Sequence, residues 1–140
     1  MAVTLVGRCH CGNLALAFTS SRPPEELPVR ICTCSFCRRH RPRYTSDPTG
    51  HVSISAHDSA ELGRYRFGLA LADFLICRRC GVFVAAYQPG ATGLAVVNLD
   101  VLDDAARFTA LAQSMTLDDE DAATRLARRQ RGWIPATLLV

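Results

Sequence analysis

Seven cysteines stand in three clusters: Cys9-His10-Cys11, Cys32-Thr33-Cys34-Ser35-Phe36-Cys37 and Cys77-Arg78-Arg79-Cys80. Any fold of this chain must satisfy them. An odd number cannot all pair as disulfides. In a chain with no export signal, clustered thiols point to metal rather than to cross-links. Cys77-x-x-Cys80-Gly81 reads as a tight knuckle: both sulfurs converge, backbone N–H groups can face them, and Gly81 accepts the positive φ such a turn needs. A Cys-x-Cys pair in a flat strand would send its sulfurs to opposite faces. Cys9 and Cys11 therefore need a bend, and Gly7 and Gly12 flank them. Zinc is the best-suited metal, because it takes four thiolates in closed structural sites and three protein ligands plus an open position in catalytic ones. Seven cysteines divide naturally as four plus three, with the grouping of the clusters left open. The spacing matches neither ferredoxin pattern. A thioredoxin-like pair at Cys77 and Cys80 lacks the βαβ context it requires.

Between the clusters the chain reads as short strands. Leu14, Leu16 and Phe18 alternate with smaller residues, a period of two. Similar runs occur at residues 29–33, 52–55, 64–68, 73–76, 82–87 and 94–98, separated by turn signals such as Arg22-Pro23-Pro24, Asp47-Pro48-Thr49-Gly50 and Gln88-Pro89-Gly90. Many short strands with this punctuation predict an all-β sandwich or open barrel. The last forty or so residues differ. A helix is expected from Asp100 to about Gln113, with Leu102, Ala105, Ala106 and Leu111 as its buried stripe. A second is expected from Asp118 to Arg131, acidic at its start and basic at its end as the macrodipole favours, and stopped by Gly132. Its mostly polar sequence suits a solvated surface helix. Phe83, Tyr87 and Trp133 read as core or partner-facing aromatics.

Composition narrows the functions. All 16 basic residues are arginine, so a Schiff-base or P-loop lysine is excluded. The formal charge of +3 disappears once seven thiolates share two zinc ions, which weakens any nucleic-acid reading based on charge. No apolar run approaches the roughly 18 residues of a membrane span. The expectation is a cytoplasmic, unprocessed single domain over residues 1–140.

Gly-x-Cys-x-Cys-Gly near the start, Cys-x-Cys-x-x-Cys about twenty residues later and Cys-x-x-Cys-Gly beyond it together resemble the glutathione-dependent formaldehyde-activating enzyme family, also called the centromere protein V family. The resemblance covers roughly residues 5 to 100, leaving a helical extension over about 100 to 140. It implies a twisted β-sandwich of short antiparallel strands stapled by zinc. It implies that Cys9, Cys11, Cys77 and Cys80 form a closed structural site. Cys32, Cys34 and Cys37 then form a second, catalytic site with an open position. The implied activity joins glutathione to formaldehyde as S-hydroxymethylglutathione, a carbon–sulfur lyase reaction run in reverse.

The residues agree with that partition. A thiol entering an open zinc position is deprotonated outright. Formaldehyde is so electrophilic that no catalytic triad is needed. Glutathione carries two carboxylates, and arginine is their natural bidentate partner. Arg38 and Arg39, directly after the second cluster, are the candidate carboxylate-binding residues, with Arg41 and Arg43 behind them. His40, three residues past Cys37, is a reachable fourth ligand that would close the site. Asp47 and Asp58 are loop acids that either touch the site or serve their turns. Two other functions remain open: a non-catalytic zinc module binding protein or nucleic acid, and a thiol or zinc sensor built on the three-cysteine site.

Overall fold

Leu14, Leu16 and Phe18 are buried while their neighbours are half-exposed, and this alternation forms β2 (Leu14–Ser20). It pairs on one side with β1 (Val3–Arg8) and on the other with β5 (His51–Ala56). The registers place Phe18 opposite both Leu5 and Val52, and Leu16 opposite Ile54, so one face of this sheet is continuously apolar. These strands belong to a computed structural model that describes residues 2–140.

A second sheet runs through β6 (Leu62–Tyr65), β7 (Asp73–Cys77), β8 (Phe83–Gln88) and β9 (Leu94–Asn98), each antiparallel to the next. From β9 it continues to β4 (Tyr44–Thr45), β3 (Arg30–Cys32) and β10 (Gln113–Met115). Leu75, Val84, Ala95 and Val97 of this sheet pack with Leu5, Leu16, Phe18 and Ile54 of the first in one apolar core. Each fully buried Leu or Phe there contributes about 1.5–3 kcal/mol.

β8 and β9 are buried on successive residues rather than alternate ones. Strands read that way when both faces of a sheet are covered. Phe83, Ala86, Leu94 and Val96 point away from the main core into a second apolar cluster with Phe36, Tyr44 and Trp133. That outer cluster is where α1 (Ser35–His40) docks.

The strand runs at 14–18, 29–33, 52–55, 73–76, 82–87 and 94–98 are found with shifts of a residue or two, while the 64–68 run starts earlier and ends at Tyr65. The C-terminal part differs from expectation. Residues 100–113 do not form an α-helix but two 3-10 turns, Leu99–Val101 and Ala105–Arg107, followed by β10. The reason is competition from β1: Asp103 N–H donates to the Val6 carbonyl at 2.9 Å, and Leu102 forms a bridge with Gly7. Leu102 and Phe108 are buried by this docking, whereas Leu111, expected inside, is 90% exposed.

The second helix is real but shorter, α2 (Ala122–Gly132), because Asp121 rather than Asp118 is its cap, accepting from Thr124 N–H at 2.8 Å. It is followed not by a tail but by β11 (Ile134–Leu139). Ile134 and Pro135 pair with β9, and Ala136–Leu139 run parallel to β5. One strand therefore crosses from the second sheet to the first and joins the eleven strands of the described residues into one hydrogen-bonded network.

Asp47 serves its turn rather than the site. It is 2% exposed. Its Oδ2 accepts from Ser20 Oγ, Ser21 N–H and Ser21 Oγ, and its Oδ1 from Thr49 N–H and Thr49 Oγ1. Burial alone would raise its pKa, but the Ser21 and Thr49 hydrogen bonds outweigh it and hold the carboxyl well below the usual range. A depressed native pKa means stability that is present above the unfolded value of about 4 and fades as pH falls through and below it. Asp47→Ala is expected to lose about 3 kcal/mol at neutral pH. In thermal melts from pH 7 to pH 2, the gap between wild type and variant should narrow below about pH 4. A pH-independent gap would contradict this account.

Candidate metal centres and an arginine-lined cavity

The three cysteine clusters become two groups in space. Cys9, Cys11, Cys77 and Cys80 form one, and Cys32, Cys34 and Cys37 the other, with the sulfurs of each group all within 4.8 Å of one another. The first group joins the β1–β2 turn to the β7–β8 turn. Gly12 at φ 86° and Gly81 at φ 80° close those turns in the left-handed region, where a side chain would be strained. Cys9 and Cys77 are buried, Cys80 is half-buried and Cys11 is exposed. Leu14 N–H donates to Cys9 Sγ at 3.2 Å. Sulfurs on a tetrahedral zinc lie about 3.8 Å apart, given Zn–S bonds of about 2.3 Å. Cys9 to Cys11 is 3.7 Å and Cys11 to Cys77 is 3.5 Å, so these residues fit such an ion. His10, between two of the cysteines, is exposed.

The second group is built on β3 and α1. Cys32 ends the strand, Cys34 caps the helix by accepting from Cys37 N–H at 3.4 Å, and Cys37 lies buried inside its first turn. Cys37 Sγ is 3.0 Å from Tyr44 Oη. Burial is the main cause that raises the Tyr44 pKa, so the phenol stays protonated beside that sulfur. The hydrogen bond between Cys32 and Cys37 is the main cause that pulls the Cys32 thiol below its ordinary value and pushes Cys37 above it. Three convergent sulfurs suit a soft or borderline metal such as zinc.

His40 is not among these sulfurs. Its ring stacks on Phe36 with centroids 4.3 Å apart. Arg38 and Arg39 are exposed, and Arg39 donates to the Ser35 carbonyl at 2.9 Å. Arg43 is engaged with Asp100 at 2.6 Å. Asp58 caps a 3-10 turn and pairs with Arg79 at 3.1 Å.

Beside Cys32, Cys34 and Cys37 opens a cavity of about 620 Å³. Neither Arg38 nor Arg39 lines it. The arginines that do are Arg30, Arg125, Arg128 and Arg129. Arg30 is there because it stands two residues before Cys32 on the same strand and so shares its face. The others come from α2, whose polar sequence alone suits a solvated surface. The signal that marks them is the i, i+3, i+4 recurrence of Arg125, Arg128 and Arg129, followed by Trp133 four residues later. Glu120 holds two of them: it accepts from Arg125 Nε at 3.2 Å and from Arg128 Nε at 2.8 Å. Arg129 stacks on Trp133, 4.3 Å from the ring centroid. Burial, then Arg128 and Arg125, pull Arg129 down to about 10. The loop between β6 and β7 supplies the apolar wall and is held by Arg66, which donates to Asp73 at 2.7 Å and to the Ala70 carbonyl at 3.1 Å.

The fold and these sulfurs define a small β-domain with two thiol clusters, each able to hold a metal ion, one of them beside a cavity. Over residues 4–118 the chain matches the glutathione-dependent formaldehyde-activating enzymes, and it belongs to that family. A crystal structure of a Rhodobacter sphaeroides protein is similar, with a TM-score of 0.61 at 22% identity, covering 79% of this chain and 99% of that one. At that identity the likeness speaks for the fold alone. Among the described residues, no helix is long and apolar enough to cross a membrane.

Proposed function

We propose that this chain adds glutathione, or a related thiol, to formaldehyde or another small aldehyde, the reverse of a carbon–sulfur lyase reaction. Family membership supports the reaction class. The observation that carries the site is that Cys32, Cys34 and Cys37 all line the cavity, whereas none of Cys9, Cys11, Cys77 and Cys80 does. The four-cysteine group is then structural and the three-cysteine group reactive. Zinc held by Cys32, Cys34 and Cys37 would leave one of its four positions for an incoming thiol and supply the charge that keeps it a thiolate at neutral pH.

The chain's own groups do the rest. The Tyr44 hydroxyl orients the Cys37 sulfur, the β6–β7 loop shields the cavity from water, and the arginines hold an acidic thiol. The thiolate sulfur attacks the carbonyl carbon and a C–S bond forms. The carbonyl π pair passes to oxygen, which takes a proton from water. Nothing is oxidised or reduced, so no redox cofactor is required.

Exchange of labelled formaldehyde with glutathione, followed by NMR on protein analysed for zinc, tests this reading. Protein with about two zinc ions per chain is expected to speed the exchange at least about tenfold over buffer. Fully metallated protein that leaves the rate at its buffer value would overturn it. Dialysis against millimolar glutathione should leave the four-cysteine zinc in place.

A further inference from the structure

Arg129 is 6% exposed, yet among the described residues no carboxylate lies within ion-pair distance of it. Its Nη1 donates to Gln88 Oε1 at 3.1 Å, one face is covered by Trp133, and its buried Nε has no partner. Arg30 is half-buried: its Nη1 donates to Ser46 Oγ at 2.7 Å, and among the described residues no acid pairs with it. Glu120 is already shared by Arg125 and Arg128. A cation taken out of water without a counter-charge is costly, and proteins keep buried charges paired. One buried and one half-buried guanidinium without an ion-pair partner line this cavity, whose own acids are Glu120, already shared, and Asp118, which pairs with neither; they mark the place of an anion that arrives from outside.

We propose that Arg129, together with Arg30, receives the carboxylate of a ligand whose apolar body lies against the cavity wall. The carboxylate is favoured because this arginine cluster already takes one, that of Glu120, and because a guanidinium with one face stacked and one nitrogen engaged presents a planar edge that suits a planar anion. The apolar body follows from the wall: Phe67, Leu69, Leu71, Phe74, Met115 and Leu117 line the same space. Arg129 and Arg30 are thus specificity-determining residues, in place of Arg38 and Arg39. This deepens the proposed function, since it names which part of the thiol the cavity holds. The anion site itself needs no metal.

The test therefore uses probes without a thiol. Phenylbutyrate, phenylbutanol and acetate are titrated into the zinc-loaded protein. Binding is read by calorimetry and by the fluorescence of Trp133, the only tryptophan. Phenylbutyrate should bind at least about tenfold tighter than the alcohol, which lacks the charge, and than acetate, which lacks the body. Arg129→Gln should remove the acid-over-alcohol preference and leave alcohol binding unchanged. Arg30→Gln, at a half-buried position, should reduce that preference and serves if Arg129→Gln does not fold, as judged by circular dichroism. Equal binding of acid and alcohol by the wild type, or a preference that survives both substitutions, would overturn the proposal. Acid preference in a protein that fails to speed thiol–formaldehyde exchange would sink the enzymatic reading and leave this site standing.

Discussion

Cys77→Ser should leave the chain without a cooperative fold at 25 °C, the largest effect expected of any single substitution. The sulfur of Cys77 meets that of Cys11 across 66 residues of sequence, so a metal held here clamps the β1–β2 turn of one sheet to the β7–β8 turn of the other. A structural zinc contributes on the order of 10 kcal/mol or more to folding. Whole domains are stable by only about 5–15 kcal/mol. Losing the clamp therefore consumes most of what holds the domain together. Without metal, Cys9 and Cys77 remain as small buried thiols, so packing is preserved and the deficit measures the cross-link. Circular dichroism during titration with a strong zinc chelator checks this in the wild type. A melting temperature that does not move as zinc leaves would show that the two sheets hold without it.

Cys34→Ser should do the opposite: the fold survives and the chemistry goes. Cys34 has two roles, ligand and helix cap. Serine is a preferred N-cap, so it keeps the bond from Cys37 N–H while removing the thiolate. Stability should change by less than about 1.5 kcal/mol. The exchange of formaldehyde with glutathione should fall to its buffer rate, and bound zinc from about two ions to about one. Elemental analysis and the NMR assay on one preparation give both numbers. A variant that keeps its acceleration would move the reaction away from the three cysteines.

The thiol groups were legible because spacing in the chain limits how sulfurs can meet. Cys-x-x-Cys-Gly forces a knuckle wherever the fold puts it, and the strands before and after it are marked by alternation. The division into four and three followed from zinc chemistry, which clusters share a site came from resemblance, and the sulfur positions agree with both. What was not legible depends on partners far away in sequence. Residues 100–113 carry helical signals, but Val6 and Gly7 of β1 take the stretch by hydrogen bonding, and local propensity cannot register a neighbour almost a hundred residues upstream. β11 was hidden behind Gly132, which reads as a stop signal, and it contains Pro135, a poor strand residue. Proline is tolerated there because it stands where the strand passes from β9 to β5. The arginines of α2 looked solvated because they are charged. Nothing local in the sequence says that Glu120 folds back to meet two of them and that Trp133 turns a third inward.

The strand that spans both sheets also sets an order of events. β11 follows every other described element, so neither sheet can finish until residues 134–139 have been synthesised and have left the ribosome. The nascent chain up to α2 would carry exposed edges on β5 and on the start of β9, both ready to pair with the wrong partner. Pairings this distant in sequence close slowly, on the scale of about milliseconds to seconds. A bulky group fused directly after β11 would have to be tolerated at the seam itself, and a flexible spacer there is the sensible choice for any tagged form of the protein.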